Sequence, residues 1–244
     1  MSKAKITWLG HASIKVEGGG NVIFFDPWIE DNPVCPIKLA DIEKADAVCV
    51  THGHIDHLGD AIEIVKGTGA PLICSPEIGF YAEKHGIKYD EDSIPLNIGG
   101  SWEADQFSIT MVNAVHTSDI MGEEWKKDGT IMPGSGSVGY VVTFKEGASV
   151  YYGGDTGVFG DMAIIRDLYG PDVAVLPVGG KYTMGVREAG YAASLLTPKV
   201  FIPIHYDTFP NQRANLDRLD EEIKARAPNV NVVHWKPGET YECA

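Results

Sequence analysis

Apolar and polar residues alternate along the chain in short runs broken by Gly, Pro, Asn and Asp, a pattern that predicts strands joined by turns with a few helices between. Ile6-Thr7-Trp8-Leu9 opens the series as a strand and runs into Gly10-His11-Ala12-Ser13. A hairpin follows, with Ile14-Lys15-Val16-Glu17 and Val22-Ile23-Phe24-Phe25 flanking a turn at Gly18-Gly19-Gly20-Asn21. It ends in Asp26-Pro27-Trp28. Residues 29–36, with two prolines and no periodicity, predict a surface excursion beside a pocket rim. Residues 46–50 read as a buried strand, 60–66 as a helix closed by Gly67, 71–74 as a strand and 76–85 as a helix ending at Gly86.

The second part of the chain follows the same order. A strand at Phe107-Ser108-Ile109-Thr110-Met111-Val112 precedes a hairpin, Val138 to Phe144 and Ser149 to Tyr152. Then come a helix near 161–169, a strand at Val173-Ala174-Val175-Leu176, a loop over 179–185, a helix near 187–196 and a strand over 200–204. Matching segments are legible within the sequence itself. SIKVEGGGNVIFFDP parallels GYVVTFKEGASVYYGGDT, ADAVCVTHGH parallels PDVAVLPVGG, and GAPLICSP parallels TPKVFIPIH. Two related β-rich halves with helices outside predict a four-layer αββα sandwich of the α/β class, with residues 1–244 as one domain. If the halves correspond, Asp26 matches Asp155 and the 179–185 loop matches the loop after the 46–50 strand. Both then open onto one rim, unless they merely form turns.

Chemistry concentrates in Thr51-His52-Gly53-His54-Ile55-Asp56-His57-Leu58-Gly59-Asp60, which holds three of the eight histidines directly after a buried strand. His52 and His54, two apart with Gly53 between, can turn both imidazoles toward one cation. Asp56 and His57 can reach a second cation further along the turn. Imidazole and carboxylate together suit zinc, and also manganese or iron. The remaining ligands are expected past other strands, where His116, Asp155 and His205 each follow an apolar run. His85 reads as a helix-capping residue, and His234 lies far along the chain from the cluster.

The motifs THGHIDH, a lone His after a strand, GGDTG and PIHYDTFP, in this order, resemble the metallo-β-lactamase superfamily of hydrolases. LGHAS, FFDPW and GGKYTMG resemble its compact branch of metal-dependent hydrolases related to the ascorbate-6-phosphate lactonases. The resemblance spans residues 6 to 235. It implies a dinuclear site in which His52, His54 and His116 hold one divalent metal, Asp56, His57 and His205 hold the other, and Asp155 bridges them. A hydroxide between two cations is a nucleophile at neutral pH, so no side-chain nucleophile is required. Asp56 is the candidate to orient it and handle its proton. His11 is the candidate for substrate contact or proton donation, with a structural role as the alternative. Lys181 and Tyr182 are candidates to bind an anionic group on a small substrate, and Asp26 belongs with them at the pocket. Trp28, Trp125 and Phe209 are candidate pocket walls, and residues 118–137 a candidate lid.

Charge and composition narrow the substrate. With 34 acidic against 20 basic residues the formal net charge is −14, which disfavours nucleic acid, because phosphate binding needs clustered Lys and Arg. The four cysteines form no C-x-x-C pair, and no run is long and apolar enough to span a membrane, so a cytoplasmic protein is expected. The expected function is hydrolysis of a small ester, lactone or phosphoester. The alternatives are a phosphodiesterase or nuclease acting on RNA or cyclic nucleotides, and a non-enzymatic metal-binding scaffold.

Overall fold

The computed structural model describes residues 4–243. In chain order the elements of the first half are β1 (Lys5–Gly10), β2 (Ser13–Gly18), β3 (Asn21–Phe25), β4 (Ala47–Cys49), α1 (Ile55–Leu58), α2 (Ala61–Thr68), β5 (Leu72–Cys74), α3 (Pro76–Lys84) and β6 (Ser93–Pro95). Next come β7 (Ser101–Glu103), β8 (Phe107–Asn113), α4 (Glu123–Asp128), β9 (Val138–Phe144), β10 (Ser149–Tyr152), α5 (Met162–Tyr169) and β11 (Val173–Pro177). The chain closes with α6 (Val186–Leu196), β12 (Val200–Ile204), α7 (Leu216–Arg226), β13 (Asn231–Val232) and β14 (Thr240–Glu242).

The strands form two seven-stranded sheets, ordered β14-β1-β2-β3-β4-β5-β6 and β13-β12-β11-β10-β9-β8-β7. Reading the second in reverse aligns them. In each, two antiparallel pairs are followed by a hairpin's return strand and three parallel neighbours: β3, β4, β5 and β6 in one, β10, β11, β12 and β13 in the other. The internal repeat is therefore a repeat of topology, not only of letters.

Side-chain alternation assigns each strand face. In the first sheet Ile23, Phe25, Ala47, Cys49 and Ile73 join the core shared with the second sheet, while Phe24, Val48, Val50, Leu72 and Cys74 join a separate core with α2 and α3. The second sheet is apolar on both faces: Tyr140 and Val142 lie in the same core as Met162 of α5 and Ala189 and Ala193 of α6. Burying a side chain such as Phe25 is worth about 1.5–3 kcal/mol, so a strand apolar on both faces needs a layer on each side. Helix, sheet, sheet, helix is the result.

Local signals fix several boundaries. Ser75 accepts from Ile78 N at 3.5 Å and Pro76 takes the first helical position, which starts α3. The helix expected to close at Gly67 continues to Thr68 and stops at Gly69, the residue with left-handed φ of 74°. Gly67 stays helical, so position along the sequence misled where backbone angle decides. The 29–36 excursion is tied down on its inner side: Asp60 Oδ2 accepts from Ile29 N at 2.6 Å and Glu30 N at 3.1 Å, and Asn32 donates to Trp28 O at 3.1 Å. Among the described residues no helix is long and apolar enough to cross a membrane.

Candidate metal centre

The C-terminal ends of several strands converge on one cluster. β4 leads into Thr51, His52 and His54, and the single turn of α1 carries Asp56 and His57. His11 lies in the β1–β2 turn, Asp26 follows β3, Asp155 follows β10 and His205 follows β12. His116 lies beyond β8. All seven predicted ligands meet. His52, His54 and His116 offer ligand atoms within 4.8 Å of one another, and so do His57, Asp155 and His205. Asp56 joins His205 and His11 in a third such group. Asp155 lies between the sets: its Oδ1 is 3.4 Å from His57 Nε2, and its Oδ2 is 3.2 Å from His205 Nε2 and 3.6 Å from His116 Nε2.

Hydrogen bonds behind the cluster fix which imidazole nitrogen faces it. Asp26 is fully buried, and its Oδ2 receives His57 Nδ1 at 2.7 Å, the Thr51 hydroxyl at 2.7 Å and the Tyr152 hydroxyl at 2.8 Å. Because the Thr51 hydroxyl spends its proton on Asp26, it must accept from His52 Nδ1, 3.0 Å away. In the neutral rings that a cation would require, both histidines therefore carry their proton on Nδ1 and turn the Nε2 lone pair inward. One carboxylate sets the tautomer of a histidine in each ligand set. This corrects the expectation for Asp26: it lines no cavity and cannot touch substrate, since it sits behind the histidines with its inner oxygen already engaged three times.

His11 is also displaced from its expected role. It is fully buried, its Nε2 lies 3.0 Å from Asp56 Oδ2 and its Nδ1 lies 2.9 Å from Thr208 Oγ1. Burial, with His205 beside it, pushes its pKa down to about 4, so the ring is neutral near pH 7. The ionised Asp56 can only accept, which makes His11 Nε2 the donor and the Thr208 hydroxyl the donor to Nδ1. With both nitrogens occupied and no surface on the cavity, His11 positions Asp56 and does not contact substrate.

Charge balance inside the cluster is tight. Burial opposes ionisation of Asp155 and Asp56, but for Asp155 the imidazoles of His205 and His57, and for Asp56 those of His57 and His11, hold the carboxyls well below the usual range. Burial would likewise depress His205, yet the Asp155 carboxylate raises it to about 9. His57 is raised for the same reason by Asp155 and Asp26, against the pull of burial. Burial, reinforced by His57, keeps His52 well below its ordinary value. His57 Nε2, Asp155 Oδ1 and both ring nitrogens of His205 are buried without a hydrogen-bond partner. Asp155 is close to both rings, yet neither His57 Nε2 nor His205 Nε2 makes a hydrogen bond. Convergent imidazole nitrogens and a carboxylate, sealed from water and unpaired, are the donor set that divalent zinc-like cations satisfy, so these residues fit a resident metal.

The backbone is strained where the ligands are. His11, Asp26 and His205 all have left-handed φ angles, of 54°, 45° and 57°, three of the six non-glycine residues described in that region. Cross-sheet bonds hold them: His205 N donates to His11 O at 2.9 Å, Tyr152 donates to Ala12 O at 2.8 Å, and Tyr140 donates to Val50 O at 2.8 Å. Gly53 serves differently from expectation. It lies outside the left-handed region, and its need is space, since a Cβ there would stand 2.7 Å from Ile120 Cα.

Above the cluster opens a cavity of about 560 Å3, lined by His54, Asp56, His116, Asp155 and His205 on its floor and by Trp28, Ile55, Thr117, Met121, Tyr182, Phe209 and Gln212 on its walls. Tyr182 is therefore a wall residue as expected, as are Trp28 and Phe209. Trp125 is not, and Lys181 is not; the Lys181 ammonium lies 5.0 Å from the Tyr182 ring centroid. The 118–137 segment contributes Met121, whose N donates to Gly53 O at 2.7 Å, while Ile120 is buried and pairs with Met132. The start of the segment, Ile120 and Met121, is thereby held against the metal loop, while α4 beyond it buries no residue. His85 caps α3 and lies against Tyr81, and His234 pairs with Asp220 at 3.0 Å, both away from the cluster.

Sequence reasoning missed Gln212, Met121, Thr51 and Tyr152. Thr51 stands in the metal motif and Gln212 close after PIHYDTFP, so nearness was the available signal; Tyr152 reads as an ordinary strand residue.

Fold and cluster together define a metallo-hydrolase built on the metallo-β-lactamase fold. Residues 21–206 match the β-lactamase superfamily domain. A UPF0173 metal-dependent hydrolase of Methanopyrus kandleri is 45% identical, covering 98% of this chain and 99% of its own, and one of Archaeoglobus fulgidus is 42% identical, covering 98% of each. The solved structure of Igni18, a metallo hydrolase from Ignicoccus hospitalis, superposes with a TM-score of 0.83 at 35% identity over 99% of both chains. This chain belongs to the β-lactamase superfamily and, within it, to the UPF0173 metal-dependent hydrolases.

Proposed function

We propose that the chain hydrolyses a small ester, lactone or phosphoester with two divalent cations, zinc foremost and manganese or iron as substitutes. One would be held by His52, His54 and His116, the other by Asp56, His57 and His205, with Asp155 shared. The observation that carries the reading is the unpaired, buried donor set of His57, Asp155 and His205, the last two of which line the floor of an open cavity. When bound, such cations supply an acidified water and polarise the substrate oxygen.

The chain's own residues supply the rest. Asp56 lines the cavity with a quarter of its side chain exposed and is ionised, so a carboxylate oxygen can take the proton of the attacking water. His11 donates to Asp56 Oδ2, the oxygen that also lies 3.7 Å from His205 Nε2, and so restrains the carboxylate from rotating. Asp26 and Thr51 keep the His57 and His52 lone pairs aimed inward. Trp28 and Phe209 shield the floor from bulk water. The free state of Cys35, Cys49, Cys74 and Cys243 supports a cytoplasmic site of action.

The test is elemental analysis of reconstituted protein together with a screen of esters, lactones, small phosphoesters, cyclic nucleotides and structured RNA. About two equivalents of metal and turnover of small molecules are expected. A firm limit of one equivalent, or preferred cleavage of RNA, would refute the proposal. The formal charge of −14 argues against RNA.

A further inference from the structure

We infer that the part of the substrate this cavity selects is uncharged and apolar, so that the preferred substrate is a neutral ester or lactone bearing a ring-sized or branched hydrocarbon group. The inference rests on the hydrolase reading and adds the substrate class. The walls facing the floor are Trp28, Ile55, Met121, Tyr182 and Phe209, and a volume of about 560 Å3 is ample for such a group. Among the described residues no Lys or Arg lines it.

Neither Lys181 nor Arg213 belongs to the lining. Lys181 is outside the lining, with its ammonium near the Tyr182 ring. Arg213 lines a separate groove of about 480 Å3 that shares only Phe209 with the cavity. An anionic tail lying against these walls would thus lose its water without meeting a Lys or Arg, at a cost that selects against it. The polar wall group is neutral instead. Gln212 is 5% exposed, its Oε1 is buried without a partner, and its backbone is fixed by bonds from Gln212 N to Phe209 O at 3.0 Å and from Asp207 N to Gln212 O at 2.8 Å. The Gln212 amide adds no charge to the wall. This replaces the expectation of an anionic substrate held by Lys181.

The experiment uses metal-loaded enzyme and two aryl esters of one skeleton, one ending in a methyl group and the other in a carboxylate. The neutral ester should have a kcat/KM higher by roughly tenfold or more. Tyr182 is 54% exposed, so Tyr182→Lys should fold and should shift the ratio toward the carboxylate by about tenfold. Non-hydrolysable ketone analogues of both esters, titrated by calorimetry, separate binding from chemistry. Preferential binding of the neutral ketone without turnover of either ester would sink the hydrolase reading and uphold this one. Equal or better use of the carboxylate ester, or no binding of the neutral ketone, would overturn it.

Discussion

Asp26 Oδ2 lies 2.7 Å from His57 Nδ1, and the same oxygen lies 2.7 Å from the Thr51 hydroxyl that in turn holds His52. Two ligand sets therefore depend on one side chain that touches neither cation position. Asp26→Asn would replace an acceptor of three bonds by an amide whose nitrogen faces donors. Metal affinity should fall by about 10–100-fold at both positions, since the inward lone pairs are no longer enforced. Competition with a chromophoric chelator measures this, and loss at one position alone would break the inferred link between the sets.

Asp155→Ala should abolish activity and leave the protein unable to retain two equivalents of metal. Its oxygens lie within 3.6 Å of imidazoles from both sets, so no neighbour can substitute. Full metal content in this variant, read by elemental analysis, would show the shared position to be misassigned. His85→Ala is the control and should change neither.

Asp56→Asn removes the carboxylate that accepts a proton at the cavity floor. A fall in kcat of about 10²–10⁴ is expected. His11→Ala should act in the same direction but less, because His11 works through Asp56; a double variant no slower than Asp56→Asn alone would establish that order, and additive losses would contradict it.

Lys181→Ala should leave KM within about twofold for a neutral ester, as an exposed cation beside a ring contributes little. A tenfold rise would return the charged-substrate expectation to favour. Steady-state kinetics decides it.

Tyr152→Phe deletes the buried hydroxyl whose single proton is shared between Asp26 Oδ2 and Ala12 O, and should destabilise the fold by about 1–3 kcal/mol in urea titration. An unchanged midpoint would mean that water or another donor takes its place.

Where the sequence was informative, the reason is that motif, periodicity and topology agreed. The seven ligand candidates each follow a strand, and the strand ends converge because parallel neighbours in one sheet end on the same edge. What stayed hidden depends on direction in space. Nothing in the letters of Asp26 or His11 says that left-handed φ angles turn them behind the cluster, and nothing in GGKYTMG says that Tyr182 faces the cavity while Lys181 does not. The Gly53 case is alike: its neighbour Ile120 is 67 positions away, which no local pattern reports.

The matching sheets have an uneven division of labour. After β4 the connecting loop carries His52, His54, Asp56 and His57, whereas the corresponding loop after β11 carries none of these and presents Tyr182 to the cavity. If the two halves descend from one duplicated ancestor, one copy's loop kept the reaction and the other was released to choose what reacts. Substitutions around Tyr182, Phe209 and Gln212 can then exchange substrates among descendants while the hydrolytic step passes unchanged from one to the next.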